Sequence, residues 1–236
     1  PHWPEWLRGF GAAFIGAVIC PFTDFFSRYG AYVAAVTLLL VATYRLTEFT
    51  MGSMANPFYI DQGYSLGEIA TVVKTIGLPV SMIGVVIAGF IVAKAGLRVA
   101  LFLGSILIAG SNLGFALLAT SNEPTLVGLG LVNAFDNFAQ GIHGTALIAF
   151  LSGLTSARYT ATQYALFSSL YAFIGKILEG TSGFVVDAIG FPAFFTYTAS
   201  LSIPGLLLLA WLTRQRLLDA HGRIAAREGG APSDGR

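Results

Sequence analysis

Between residues 32 and 213 the chain alternates long apolar blocks with short polar joints. A helix crosses a bilayer with about 20 mostly apolar residues. Six blocks meet that length: Tyr32–Tyr59, Glu68–Ala93, Val99–Thr120, Thr125–Thr155, Ala161–Ala188 and Phe191–Thr213. Several exceed it, which predicts tilt or extension beyond the lipid. Two earlier stretches do not span. "GFGAAFIGAVIC" is apolar but short, and "PFTDFFSRYG" is of mixed polarity. They predict an amphipathic helix along the cytoplasmic interface, with Trp3 and Trp6 as belt aromatics. The alternative is a linker that only touches lipid. The segment after Ala220 is polar, carries Gly and Pro, and is expected to be disordered. The expected organisation is a cytoplasmic linker with an interfacial helix over 1–30, a six-helix membrane domain over 31–214, and a cytoplasmic tail over 215–236.

The joints sort by charge. Those after blocks one, three and five carry Asp61, Glu123 and Asp187 and no Lys or Arg. Those after blocks two and four carry Lys94, Arg98 and Arg158. The tail adds Arg214, Arg216, Arg223, Arg227 and Arg236, and the N-terminal stretch adds Arg8 and Arg28. All the joint cations fall on one side, which the positive-inside rule makes the cytoplasm, with both ends of the chain there.

Composition narrows the class. The 236 residues are 55% hydrophobic and 11% charged, against about 25% charged in a soluble domain. A single Cys20 excludes an internal disulfide or a cysteine zinc site. His2, His143 and His221 have no metal-ligand spacing, so no metal or other cofactor is expected. No basic stripe lies outside the membrane-flanking segments, which argues against nucleic acid. No HExxH, GxSxG or Cys–His pairing points to an enzyme. The chain begins at Pro1 without a signal-peptide pattern, and is expected to be part of a longer protein.

Six charged residues lie within the apolar blocks: Arg45, Lys74 and Lys176 against Glu48, Asp136 and Glu179. Each would cost about 2.5–3.5 kcal/mol facing lipid at mid-helix. They are therefore expected to face protein or water, and their balanced signs suggest pairing. Arg45 and Glu48 are three residues apart, as are Lys176 and Glu179, so each pair shares a helix face. Asp136 falls near the middle of the fourth block with no charged neighbour on its own helix. These six are the candidates for proton coupling or substrate binding. The plainer reading of the pairs is structural, holding helices in register, and Lys74 is near enough to the block's end to snorkel. Asn137, Gln140, His143 and Thr145 add polar groups beside Asp136, and Gln163 adds one in the fifth block; these are candidate cavity residues. Gly141, Gly144 and Ala146 permit close helix approach. Pro57, Pro79 and Pro204 mark expected kinks. A carrier should hold Glu48 and Asp136 on a wide water-accessible surface, whereas a structural bundle should hold them dry and paired.

The joint "GFIVAKAGLRVAL" resembles the cytoplasmic loop motif of the major facilitator superfamily. Gly89, Lys94, Gly96 and Arg98 match in type, with Ala93 where an aspartate belongs. "PFTDFFSR", "YRLTEF", "VVKTIGLPVSMIG", "FDNFAQGIHGTALIAFL" and "TATQYALFSSL" are similar to the C-terminal half of AmpG-type muropeptide permeases, from about Pro21 to Trp211. The resemblance implies an all-α membrane protein: one six-helix half of a twelve-helix fold, built from inverted three-helix repeats. It also implies a missing N-terminal half as partner, the bacterial inner membrane as location, and proton-driven import of sugar-peptides for cell-wall recycling. It implies that blocks one and four line the central cavity. Tyr44, Phe135, Phe138 and Tyr164 are candidates to stack on sugar rings, though each also suits plain packing. A carrier related to acetyl-coenzyme A transporters and a non-transporting structural subunit are the alternatives.

Overall fold

The computed structural model describes Gly16, residues 19–121, residues 125–219 and Ile224. Trp3, Trp6, Arg8, Glu123, His221 and the polar tail after Ala220 lie outside the described residues, apart from Ile224. Within them the chain is built of helices, with one isolated β-bridge between Leu218 and Ile224.

Helix α1, Cys20–Tyr29, has Pro21 in its first turn, where no amide hydrogen is needed. Gly30 ends it at φ 77°, a left-handed value that glycine adopts without strain. Helices α2, Ala31–Tyr44, and α3, Leu46–Asp61, form one rod interrupted at Arg45 (φ −100°, ψ 8°). Helix α4, Leu66–Val72, opens on a capping box between Ser65 and Glu68, so Glu68 acts as a cap at the start of the rod. A π-helical turn, Val73–Gly77, then leads into α5, Leu78–Ala95, whose first turn contains Pro79. Gly96, at φ 89°, turns the chain into α6, Leu97–Ala119. Helix α7, Leu126–Leu154, is capped by Thr125, whose hydroxyl accepts from the Gly128 amide. Helix α8, Thr160–Ser200, breaks at Gly190 (φ 74°, ψ 165°), and α9, Ser202–Arg214, follows.

Among the described residues four stretches are long and apolar enough to cross a membrane: Ala31–Asp61, Leu66–Ala95, Leu97–Ala119 and Thr160–Arg214. The fourth is 55 residues long and contains the Gly190 break. Helix α7 falls outside this set because Asn133, Asp136, Asn137, Gln140 and His143 dilute its apolar content. Of the expected kinks, Pro57 lies within α3, Pro79 in the first turn of α5 and Pro204 in that of α9.

Helix α7 lies between α5 and α6, while α8 packs on α3 and α6. Contact between α5 and α7 is backbone-close. A side chain on Gly141 would run into the Ser81 carbonyl, and its Cβ would sit 3.0 Å from the Gly84 Cα. Gly141 and fully buried Ala146 thus serve close approach as expected, whereas Gly144 has open space beside it.

Among the described residues two apolar cores form, and the order of their residues along the helices places them at opposite ends. One gathers Phe25, Leu40, Tyr44, Leu101, Phe150, Phe167 and Leu209. The other gathers Met51, Phe58, Phe115, Leu129, Phe194 and Phe195. On α2–α3 the residues between the cores include Arg45 and Glu48. On α6 they include Ser105, Ser111 and Asn112, and on α7 they run from Asn133 to His143. A polar belt therefore separates the two hydrophobic ends of the bundle.

Candidate functional site

The belt contains two distinct arrangements. In the first, Arg45 sits at the break between α2 and α3 and donates from Nε to Glu48 Oε2 at 2.8 Å and from Nη2 to Oε1. His143 reaches in from α7, with Nδ1 3.5 Å from Glu48 Oε2. That is longer than a good hydrogen bond. Nδ1 is buried and has no hydrogen-bond partner among the described residues. The imidazole is fixed by a parallel stack on the Tyr44 ring, 4.1 Å between centroids with planes 4° apart. The Tyr44 hydroxyl donates to the Leu101 carbonyl at 2.9 Å. Gly104 makes the approach possible, since a Cβ there would lie 2.8 Å from the His143 Cα.

On the far side of Arg45 lies an aromatic wall from α3 and α8. The guanidinium carbon is 5.3 Å from the Phe49 ring centre and 5.5 Å from that of Tyr171. Lys176 Nζ lies 5.6 Å from the same Phe49 ring and pairs with Glu179 Oε2 at 2.6 Å. The two expected intrahelical pairs are thus brought together around one phenyl ring. Lys176 is open, with 65% of its side chain exposed, while Arg45 and Glu48 are 26% and 16% exposed.

The second arrangement is closed. Asp136 is 6% exposed. Ser111 Oγ donates to its Oδ1 at 2.9 Å, and Gln140 Nε2 donates to its Oδ2 at 2.6 Å. Among the described residues it forms no ion pair. Asn133 and Asn137 follow on the same helix, Asn137 Nδ2 donating to the Asn133 carbonyl at 2.9 Å. Their side chains lie under Gly77, where a Cβ would come within 3.0 Å of both.

Several expectations are relocated. Neither acid lies on a wide accessible surface: Glu48 is 16% exposed and paired with Arg45, and Asp136 is buried and bonded by neutral donors. His143 does not extend the Asp136 face but turns to Glu48. Thr145 donates to the Gly141 carbonyl of its own helix at 2.8 Å. Lys74 is exposed on the π-helical turn and forms no ion pair among the described residues. Of the aromatic candidates, Tyr44 is covered by His143, Tyr164 packs on the first core, and Phe135 lies against Gly110.

Gln163 is not in the belt. It is 1% exposed and donates to Asp24 Oδ2 and to the Pro21 carbonyl, both at 2.9 Å. Its Oε1 accepts from the Ser156 amide at 2.7 Å. Arg28 completes this dock, pairing with Asp24 at 3.2 Å and donating to the Leu154 carbonyl at 2.9 Å. Helix α1 is thereby fastened to the α7–α8 joint. The i, i+4 spacing of Asp24 and Arg28 was its one trace in the sequence. At the loop motif, Gly96 provides the reversal and Gly89 has open space beside it. Lys94 and Arg98 form no ion pair among the described residues.

The belt also uses polar residues with weaker sequence signals. Thr47 and Ser202 share a hydrogen bond at 2.9 Å, Ser182 donates to the Thr50 carbonyl at 3.0 Å, and Asn112 donates to Thr198 at 3.0 Å. Each joins two helices, as small polar residues do inside membranes.

Apolar rods packed into two hydrophobic cores, with a belt of polar and ionisable groups between them, define a multi-pass helical membrane protein. Relatives then identify the line it comes from. The chain is 33% identical over 195 residues to the anhydromuropeptide permease of Escherichia coli K12, covering 82% of this chain and 39% of that protein. It is 34% identical over 204 residues to a Rickettsia felis protein bearing the transporter name AmpG 4, covering 86% of this chain and 48% of that protein. A Haemophilus influenzae protein of no assigned function is 35% identical over 207 residues. No protein-family model matches. Over about 85% of its length the chain is similar to proteins named as AmpG transporters or anhydromuropeptide permeases, and it spans about half the length of the curated relatives it matches. The permease and transporter names of its relatives are those of carriers, not enzymes.

Proposed function

We propose that the chain is the C-terminal, six-helix half of a twelve-helix major facilitator permease that imports anhydro-muropeptides across the bacterial inner membrane. In this reading Ala31–Asp61, Leu66–Ala95 and Leu97–Ala119 form one triplet. Helix α7, α8 up to Gly190, and the rod from Gly190 through α9 form the second. Helix α1 belongs to the cytoplasmic linker, and the cations of the joints set both ends in the cytoplasm. Helix contacts support an inverted repeat: α3 against α8 mirrors α7 against α5, and α2 against α9 mirrors α7 against α6. The turns match as well. Gly96 and Gly190, each between the second and third members of its triplet, have φ 89° and 74° and ψ 156° and 165°.

The observation that carries the transport reading is the position of Glu48. It is held by Arg45 and faced by His143, so the first rod of each triplet meets at one carboxylate. An ionisable group placed there answers to movement of either rod. Asp136 is the second candidate for proton coupling, because no cation fixes its charge. Its burial between Ser111 and Gln140 favours a second reading for this residue alone, as a hydrogen-bonded tie between α6 and α7.

Uptake of labelled anhydro-muropeptide by the complete natural protein in vesicles, with and without a proton uncoupler, tests the proposal. Uncoupler-sensitive accumulation is expected, and residues 1–236 alone should accumulate nothing. Asp136→Asn should insert and fold, because its side chain is neutral and can still accept a hydrogen bond. It should lose accumulation against a gradient while keeping downhill exchange. Normal accumulation by this variant would assign Asp136 to the structural tie and leave coupling to Glu48.

A further inference from the structure

The wall formed by Phe49 and Tyr171 has a chemistry of its own. Gly175 is buried on α8, and an added Cβ there would strike the Phe49 ring, lying 2.7 Å from Cγ. Only glycine at 175 leaves this seat open. The seated ring then serves two cations, Arg45 at 5.3 Å and Lys176 at 5.6 Å. Each cation carries its own acid three residues along the helix. The cluster is therefore electroneutral, partly exposed and rigid on one side.

Its hydrogen-bonding capacity is not used up. Arg45 spends one hydrogen each of Nε and Nη2 on Glu48, and Tyr171 engages the guanidinium as well, which leaves two of its five N–H donors. Lys176 has three ammonium hydrogens and one acid. Each carboxylate has lone pairs beyond those its cation takes. A charged ligand could use these groups only by breaking a pair or by leaving its own charge unbalanced beside the largely shielded Arg45 and Glu48, 26% and 16% exposed, both unfavourable. A hydroxyl both donates and accepts, so it can bridge an ammonium and a carboxylate without separating them. We infer that Arg45–Glu48 and Lys176–Glu179, set around Phe49 and beside Tyr171, form a subsite for an uncharged sugar unit, read through its hydroxyls. This rests on the transport reading for its biological setting. It differs from it in assigning recognition here to the sugar, not to peptide charge.

The test is binding to the purified complete protein in detergent, measured by calorimetry and therefore independent of transport. The probes are N,N′-diacetylchitobiose, an uncharged amino-sugar disaccharide, and a free tripeptide with both termini charged. The disaccharide should bind, the peptide should not displace it, and raising salt from about 0.05 to 0.5 M should change the affinity less than twofold, since no net charge is exchanged. The double variant Lys176→Gln/Glu179→Gln, which keeps the net charge, should weaken the disaccharide about tenfold, the loss expected from one or two charge-assisted hydrogen bonds. Should it not purify, Gly175→Ala, which displaces the Phe49 ring, should weaken binding in the same direction. The inference is overturned by absence of disaccharide binding, by displacement with the charged peptide, by steep salt dependence, or by unchanged affinity in the variants. Uptake by the same preparations in vesicles reports on the transport reading separately.

Discussion

Asp136 and Arg45 occupy the same polar belt but are treated in opposite ways. Asp136 is closed in, 6% exposed, and satisfied by two neutral donors from Ser111 and Gln140. Arg45, Glu48, Lys176 and Glu179 are paired by charge, and Lys176 keeps 65% of its side chain exposed. A membrane interior tolerates ionisable groups only where neighbours or water compensate them. One region supplies neighbours, the other supplies partners and access. The exposed apolar face of α5, with Leu78, Met82 and Phe90, carries no such information, since lipid and protein cover it equally well. An exposed charged pair on a long apolar helix does, because lipid does not suit it.

If that contrast is right, disrupting the closed region should affect folding most. Gly141→Leu drives a side chain into the Ser81 carbonyl and separates α5 from α7. Overpacking a tight contact costs about 1–3 kcal/mol or more, and this variant should fall at the upper end, read as reduced yield and an earlier midpoint in denaturant titration of the detergent-purified protein. Wild-type stability would mean that the two helices are not held backbone to backbone.

Glu48→Gln should rank next. It leaves Arg45 without its carboxylate at a site neither fully buried nor open. The loss should be about 2 kcal/mol, between the 3–5 of a buried pair and the 0–1 of a surface pair. Transport per folded molecule should fall further than expression does. A variant that transports normally once corrected for its amount would reduce the Arg45–Glu48–His143 contact to a structural tie. Ser111→Val removes one of the two donors to Asp136 and should cost about 1 kcal/mol, because Gln140 remains. A change near zero would show that water, not Ser111, satisfies that oxygen.

Much of this was legible in the residues, for identifiable reasons. Long apolar blocks place helices in membranes because the backbone must satisfy itself there, so four of the rods could be read directly, whereas α7 is too polar to be read that way. The i, i+3 pairs Arg45–Glu48 and Lys176–Glu179 follow from helix geometry alone. What could not be read was which rods meet. His143 lies closer in sequence to Asp136 than to Glu48, yet the Tyr44 stack and the space at Gly104 turn it to Glu48. Gln163 looks like a cavity residue by type, and only the docked helix α1 reveals its role. The break at Arg45 and the π-helical turn at Val73–Gly77 have no composition signal strong enough to read, except that Pro79 cannot supply an amide to a regular turn before it.

The smallest expected change sharpens the comparison most. Lys176→Gln deletes a cation whose partner Glu179 is three residues away and whose side chain is mostly exposed. Exposed pairs contribute about 0–1 kcal/mol, since solvent already compensates both ions. The variant should therefore shift stability by less than 1 kcal/mol in the same denaturant titration that separates Gly141→Leu from the wild type. If Lys176 instead lay against lipid, removing its charge should stabilise the protein by about 2.5–3.5 kcal/mol, the insertion cost of a mid-helix lysine. If it were pinned in a sealed pair, the loss should approach the 3–5 kcal/mol of a broken buried bridge. The three outcomes differ in sign and size, so one titration tells whether this face of α8 is turned to water, to lipid or to protein.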